Sequence, residues 1–339
     1  MKRRGLTVLI GAILVAGLFR LLTIAPVPYA EYVPGPTFDT LGKDSTGQDV
    51  IKVSGAPVTH SKGQLRFLTV GVQPQLTLLQ ALAGWLDPND AVIPIDLVIP
   101  PGETQQQVDK ENQADFANSQ SAAASAADIA LGYPLKVTVS SITKGTPADG
   151  KLQVNDVITE VEGQKIDSAD RLVQIIRSKP VGTSLPFTVV RNGSTLTIPI
   201  TTAADDQGNP RAGFVATGTP TAPFTFTVPI ENVGGPSAGL MLTLGMIDKI
   251  EPEDLTGGHI IAGTGTIDAL GNVGPIGGIA QKLVAAKGAG AEFFLTPTAN
   301  CAEAKGANRP GLPLYKVSTL QDALTALGDI RAGNPAPTC

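Results

Sequence analysis

The chemistry-bearing stretch is "VGGPSAGLMLTLG", residues 233–245, which sets Ser237 among glycines, a proline and an alanine at the mouth of an apolar run. A serine hydroxyl becomes a nucleophile when a base takes its proton, and the usual base is histidine. The chain has two histidines, His60 and His259. His259, in "TGGHII", reads as an edge or surface residue, and His60 precedes a loop with no partner in sequence. A second candidate base is Lys282, in "GPIGGIAQKLVAAKGAG", 45 residues after the serine. With a helix starting at Gly278, Ile279, Lys282, Leu283 and Ala286 fall on one apolar stripe. A lysine buried there loses charge stabilisation, and neutral amine becomes available near neutral pH. Bringing it from ~10.4 to 7–8 takes on the order of 4 kcal/mol of differential solvation, within what burial supplies. Small residues around Ser237 clear an approach to the backbone, and N–H groups at a helix start, here those of Ser237 and Ala238, suit a developing oxyanion. Two plainer readings stand beside this one. Ser237 caps a helix running to about Ile247, and Lys282 snorkels to water along its stem.

The elements that must position these residues are legible in outline. "GQLRFLTVGV" (63–72) alternates like a strand. "TLLQALAGWL" (77–86) reads as a helix ended by "DPND", and "AVIPIDLVIPPG" as extended chain. Residues 104–131 form the longest helix-compatible segment, rich in Ala and Gln, with Gly132 as a stop; low-complexity disorder is the alternative for 118–127. "YAEYVPGPTFDTLG" reads as an extended lead-in because of its prolines. "LKVTVSSI" is a strand, "SADRLVQIIRSK" a helix with Ser168 as N-cap, and "SLPFTVVRNGSTLTIPITT" two strands around an Asn192–Gly193 hairpin signal. "AADDQGNP" is a polar linker and "IRAGNPAPTC" a loose tail.

Composition narrows the class. Charged residues make up 16% and the net charge is −5, with no basic run after the first four residues, which excludes nucleic acid as an expected partner. No GxxxxGK[ST] stretch occurs, so no ATP site is expected, and no other cofactor or metal spacing is visible. Cys301 and Cys339 lack metal spacing; their pairing is left open. "MKRR" precedes the apolar run Gly5–Ala25, about 30 Å long as a helix, one bilayer core. The basic residues direct the body to the extracytoplasmic side. Arg20 lies near the outer end, where it can snorkel. An uncleaved single-pass anchor in the cell membrane is expected over a cleaved signal peptide, because "IAPVPYA" lacks a clean small-x-small site.

From "LGYPLKV" through "GTPADGKLQVNDVITEVEGQKI" to the helix at Ser168, residues 131–204 resemble a PDZ domain, with Asn155-Asp156 where the family usually has Gly-Asp. The resemblance implies that a peptide, often a C-terminal tail, adds as a strand beside Leu135–Val139, its carboxylate held by the loop at Leu131–Pro134. The peptide-binding residues it implies are Leu131, Gly132, Tyr133, Leu135 and Val137. A domain that packs against its neighbour and binds nothing is the alternative.

"GGPSAG" (234–239) followed by "TGTIDALGNVGPIGGIAQKLVAA" (264–286) resembles the proteolytic domain of the Lon peptidases over 211–330. That resemblance implies a Ser237–Lys282 dyad without histidine, the oxyanion held by backbone N–H groups of Ser237 and Ala238, and Thr264 supporting the lysine. Two positions depart from the family pattern: Gly234 stands where an acidic residue is frequent, and Thr266 where TGE has its glutamate. With the Lon ATPase absent, the resemblance implies ATP-independent cleavage of flexible or unfolded chains. The expected fold is α+β: an N-terminal transmembrane helix, a PDZ β-domain, and a Lon-proteolytic-type α/β domain. The expected division is a cytoplasmic tail 1–4, an anchor 5–25, a lead-in with strand and helix 26–130, the PDZ unit 131–204, the proteolytic domain 205–330 and a tail 331–339. Segment 26–130 is left open as part of the peptidase domain, which would make the PDZ unit an insertion. The resulting expectation is a membrane-anchored PDZ–Lon serine endopeptidase acting on protein or peptide substrates, with oligomeric state, including a homo-oligomer, left open. The rival is a catalytically silent, membrane-tethered PDZ adaptor.

Overall fold

The computed structural model describes residues 2–307 and 311–339, with side chains from residue 9 onward. In chain order the main elements are Lys2–Ile24 (α1), Tyr29–Asp39 (β1), Gln64–Gln73 (β2), Leu78–Leu86 (α2), Ala91–Pro94 (β3) and Gln105–Ala130 (α3). A second group follows: Lys136–Ile142 (β4), Val157–Val161 (β5), Ala169–Arg177 (α4), Ser184–Arg191 (β6), Ser194–Thr201 (β7) and Phe214–Thr219 (β8). The chain then returns through Gly239–Ile250 (α5), Ile260–Gly263 (β9), Ile279–Gly288 (α6), Phe293–Pro297 (β10), Cys301–Ala307 (α7), Leu314–Val317 (β11) and Leu320–Ala332 (α8).

The larger sheet has the order β11-β10-β9-β2-β1-β3. Its first four strands are parallel, and β1 and β3 are antiparallel to their neighbours. Successive residues on a strand face opposite sides, and the core follows that rule. Phe67, Ile261 and Leu295 pack with α3, α5 and α8, while Leu68, Ala262 and Phe294 pack with α6 and α7. The result is a three-layer unit. Its strands come from both sides of the smaller sheet, since β2 pairs with β9 across nearly two hundred residues of chain.

The smaller sheet, β7-β6-β5-β4-β8, closes over its own core of Val137, Val139, Leu172, Ile175 and Phe187. Its hairpin turns on Asn192 and Gly193, both at positive φ (51° and 79°), the mirror-image turn that matches strand twist. Asn155 takes φ 74°, a conformation that asparagine reaches more readily than most residues, so the departure from Gly-Asp leaves the turn intact.

Several sequence expectations change. Segment 26–39 is no lead-in, because β1 is an inner strand of the large sheet. The "AVIPIDLVIPPG" segment is a short strand, β3, followed by a 3₁₀ turn at Ile95–Leu97. The helix expected over 104–131 is present and continues through 118–127, with Ser119, Ala123, Ala126 and Ala127 of α3 buried. The small sheet runs past residue 204 to include β8. The C-terminal tail is tied down: Ala336 is buried, Thr338 bridges to Tyr315, and Cys339 forms a disulfide with Cys301. Met1 and the side chains of the proposed cytoplasmic tail and first anchor residues lie outside the described residues. Among the described residues, no helix is long and apolar enough to cross a membrane.

Candidate active site

Ser237 lies in the turn that enters α5. The N-cap of α5 is Ala238, with no side-chain cap, so Ser237 does not cap the helix and its hydroxyl is left for other work. Lys282 sits one turn into α6, on the opposite face of the sheet. The two meet beyond the carboxyl end of β9, where the chain passes from Gly263 to Thr264, the usual place for a site in an open α/β sheet.

Lys282 Nζ is 2.7 Å from Ser237 Oγ and 3.0 Å from Thr264 Oγ1. Thr264 Oγ1 in turn donates to the Ser237 carbonyl at 3.0 Å. Lys282 is 2% exposed and Thr264 fully buried. Lys282 therefore does not snorkel to water. Burial alone brings its amine from the ordinary 10.5 down to about 7. Because the Thr264 hydroxyl proton is committed to the Ser237 carbonyl, its oxygen accepts an N–H from the neutral amine. Lys282 Nζ also donates to Ser237 Oγ, and when the amine is neutral it lies within reach of the Oγ–H proton, the geometry a general base needs. Neither the Ser237 nor the Ala238 N–H has a protein acceptor among the described residues, so both are available to an oxyanion.

Two glycines set the approach. Gly278, N-cap of α6, has φ 67°, and a Cβ there would come within 2.7 Å of Val70. Gly234 stands against α3, where a Cβ would lie 2.8 Å from Asn112 Cβ. That contact explains why no acidic side chain occupies position 234: the helix fills the space.

Sequence reasoning missed the part played by α3. The Asn112 carbonyl accepts the Gly235 N–H at 2.8 Å, and Ser119 Oγ donates to the Pro236 carbonyl at 2.9 Å. Both brace the turn that carries Ser237. The signal was the spacing of Ser119, Ala123, Ala126 and Ala127, one small-residue face of a helix. A cleft of about 860 Å³ leads to the dyad, with Phe38, Val70, Val72, Leu97, Val98 and Val108 among its lining.

The remaining candidates lie elsewhere. His259 pairs with Glu292 at 2.9 Å at the far end of β9 from Thr264. His60 is exposed in a loop. No group of His, Cys, Asp and Glu suited to a metal occurs among the described residues. The residues implied for peptide binding are not grouped around an open edge. Leu131 packs against the larger core and Tyr133 against the Phe224 ring at 5.3 Å. Gly132 closes α3, its N–H donating to the Ile129 carbonyl. Leu135 and Val137 are buried. Strand β4, offered to a peptide in that reading, already has two neighbours. β5 pairs on one side, and β8 on the other from Lys136↔Thr219 to Ile142↔Phe214.

Residues 106–202 match the PDZ domain model, and residues 227–327 match that of the Lon protease (S16) C-terminal proteolytic domain. The chain carries a PDZ domain and a Lon-type proteolytic domain. The latter is a serine peptidase domain, a hydrolase. Over 107 residues the chain is 36% identical to the Lon protease of Phenylobacterium zucineum, spanning 31% of this chain and only 13% of that relative. The PDZ domain of the SdrC-like protein from Listeria innocua is 32% identical over 24% of this chain and 92% of its own, with a TM-score of 0.23. Its counterpart from Listeria monocytogenes is 27% identical over 24% of this chain and 86% of its own, also at 0.23.

Proposed function

We propose that the protein is an ATP-independent, membrane-anchored serine endopeptidase whose body lies outside the cytoplasm. The observation that carries the peptidase reading is the 2.7 Å contact between Ser237 Oγ and an amine that is 2% exposed. A silent adaptor has no use for a buried lysine, its pKa lowered to about 7, beside a serine.

In this reading neutral Lys282 takes the Ser237 proton as Oγ attacks the scissile carbonyl carbon. The oxyanion forms against the Ser237 and Ala238 N–H groups. The Lys282 ammonium then gives its proton to the departing amine, leaving an acyl ester on Ser237. Water enters, Lys282 accepts its proton, and the hydroxide expels Ser237, which recovers the proton. Thr264 keeps the amine aimed.

Anchoring rests on the sequence, a basic start followed by the apolar run Gly5–Ala25, and on the exposed apolar side chains of α1 from Leu9 to Ile24. Extracytoplasmic placement is supported by the Cys301–Cys339 disulfide, a bond that persists in oxidising compartments. The occupied β4 edge favours a PDZ unit that holds the site over one that recruits tails. β8 continues through residues 220–233 into the catalytic turn, and Thr221 Oγ1 donates to the Pro134 carbonyl at 2.7 Å.

The test is casein cleavage without ATP by the full chain in detergent, against Ser237→Ala and Lys282→Ala. The expected result is cleavage by the wild type alone. Cleavage surviving in both variants overturns the dyad. A truncated body must not begin beyond Tyr29, where β1 starts.

A further inference from the structure

α2 reads "LLQALAGWL", with no charged residue. One side buries Ala81 and Gly84. Leu79, Leu82, Trp85 and Leu86 face solvent, Trp85 at 54% and Leu86 at 85% exposure. Leu97, in the 3₁₀ turn after β3, adds to them at 71%. These side chains are held in place. A capping box between Thr77 and Gln80 starts the helix, and the Trp85 ring packs edge-on to Tyr29 at 5.5 Å. An ordered, uncharged helix with its large apolar side chains outward marks a contact surface.

The chain itself indicates what covers it. The α2 start is joined to the α1 end: Leu78 N–H donates to the Ala25 carbonyl at 3.1 Å, and Pro26–Val27 pairs with Leu76–Thr77. The exposed face of α2 therefore begins where the exposed apolar residues of α1 stop. Asp87 directly after the helix and Asp96 before Leu97 are exposed, which limits the depth to which this face can enter hydrocarbon. An apolar face with a tryptophan and a charged border fits the headgroup level of a bilayer.

We infer that α2, with Leu97, lies against the membrane surface, so that the catalytic cleft opens beside the bilayer onto chain segments close to it. Leu97 and Val72 belong both to the exposed apolar set and to the lining of the cleft that ends at Ser237 and Lys282. The substrate class is thus unfolded or extended polypeptide at the lipid surface, such as the stub of another membrane protein. The inference rests on the anchored reading above.

Trp85 is the single tryptophan of the chain and reports on the site directly. The experiment reconstitutes the full chain in phosphatidylcholine vesicles and measures flotation together with quenching of tryptophan emission by lipids brominated near the top or near the end of the acyl chain. Expected are co-flotation and quenching, stronger for the shallow bromine. Co-flotation with emission indifferent to both lipids overturns the inference and leaves the anchor standing. Failure to float overturns both. A second arm compares cleavage of one unstructured peptide, free or lipid-tethered on the vesicle, by wild type and by Leu82→Glu/Leu86→Glu. The expected outcome is a several-fold loss of preference for the tethered peptide with cleavage of the free peptide unchanged; a preference equal to wild type overturns the inference.

Discussion

At the scale of single residues, the site depends on one amine staying neutral. Its pKa of about 7 predicts that kcat/KM rises with pH through about 7 and levels above it, as Lys282 loses its proton. Thr264→Val removes the acceptor that orients the amine while keeping shape. It is expected to lower kcat by roughly 10- to 100-fold and to move the pH midpoint, with KM little changed. A purely structural role for Thr264 would leave that midpoint alone. The same burial has a cost in stability. Lys282 binds its proton less well folded than unfolded, so stability rises with pH from about 7 to 10.5. Below pH 7 both states are protonated and the folded one carries the whole penalty, on the order of 5 kcal/mol. Lys282→Met is therefore expected to melt higher than wild type at pH 6, with the gain shrinking towards pH 10; thermal melts across that range check it.

At the scale of elements, α3 joins the two units. It braces the Ser237 turn through Asn112 and Ser119, and its last turn buries Asp128, whose Oδ1 has no partner. Burial raises that carboxyl from 3.8 to about 6. The folded state holds its proton more tightly, so stability falls as pH rises from about 4 to 6 and the penalty is complete above. Asp128→Asn should raise the melting temperature at pH 7.5 and leave it unchanged at pH 3.5. Gly234→Asp, which places an acidic side chain there, should destabilise by about 1–3 kcal/mol through overpacking on Asn112, and should lower cleavage. The sequence was informative where pattern is local. The helix over 104–131, the Ser168-capped helix, the Asn192–Gly193 hairpin and strand β2 could be read from periodicity and turn chemistry. Strand β1 could not, because Pro34 and Pro36 argue against a strand; the structure accommodates them at a register shift between Pro34 and Thr37. Ser237 and Lys282 were legible through their flanking motifs. Ser119 was not, since its partner lies 117 residues away and helical spacing reveals a face without naming what covers it.

At the scale of the whole molecule, two closures decide behaviour. The Cys301–Cys339 bond ties the C-terminus to α7 across 38 residues and removes unfolded-state freedom worth about 4 kcal/mol. Reduction, or Cys339→Ser, is expected to lower stability by up to that amount, as read by urea titration with and without reductant. The second closure is β8 on β4. Ala216→Pro/Thr217→Pro removes ladder donors from β8 whichever N–H faces β4. It should let a free C-terminal peptide bind the PDZ unit and lower casein cleavage, because residues 220–233 lose their anchorage. Peptide binding with an unchanged cleavage rate would mean that the edge and the active site are independent.

Because the PDZ unit interrupts the larger sheet, order of synthesis bears on activity. Strand β2 and helix α3 leave the ribosome long before β9 and α6, and the smaller unit has its own core with which to fold in the interval. The larger sheet cannot close until β10 and β11 have arrived, and the disulfide waits for Cys339. A chain halted before α6 thus holds Ser237 without Lys282.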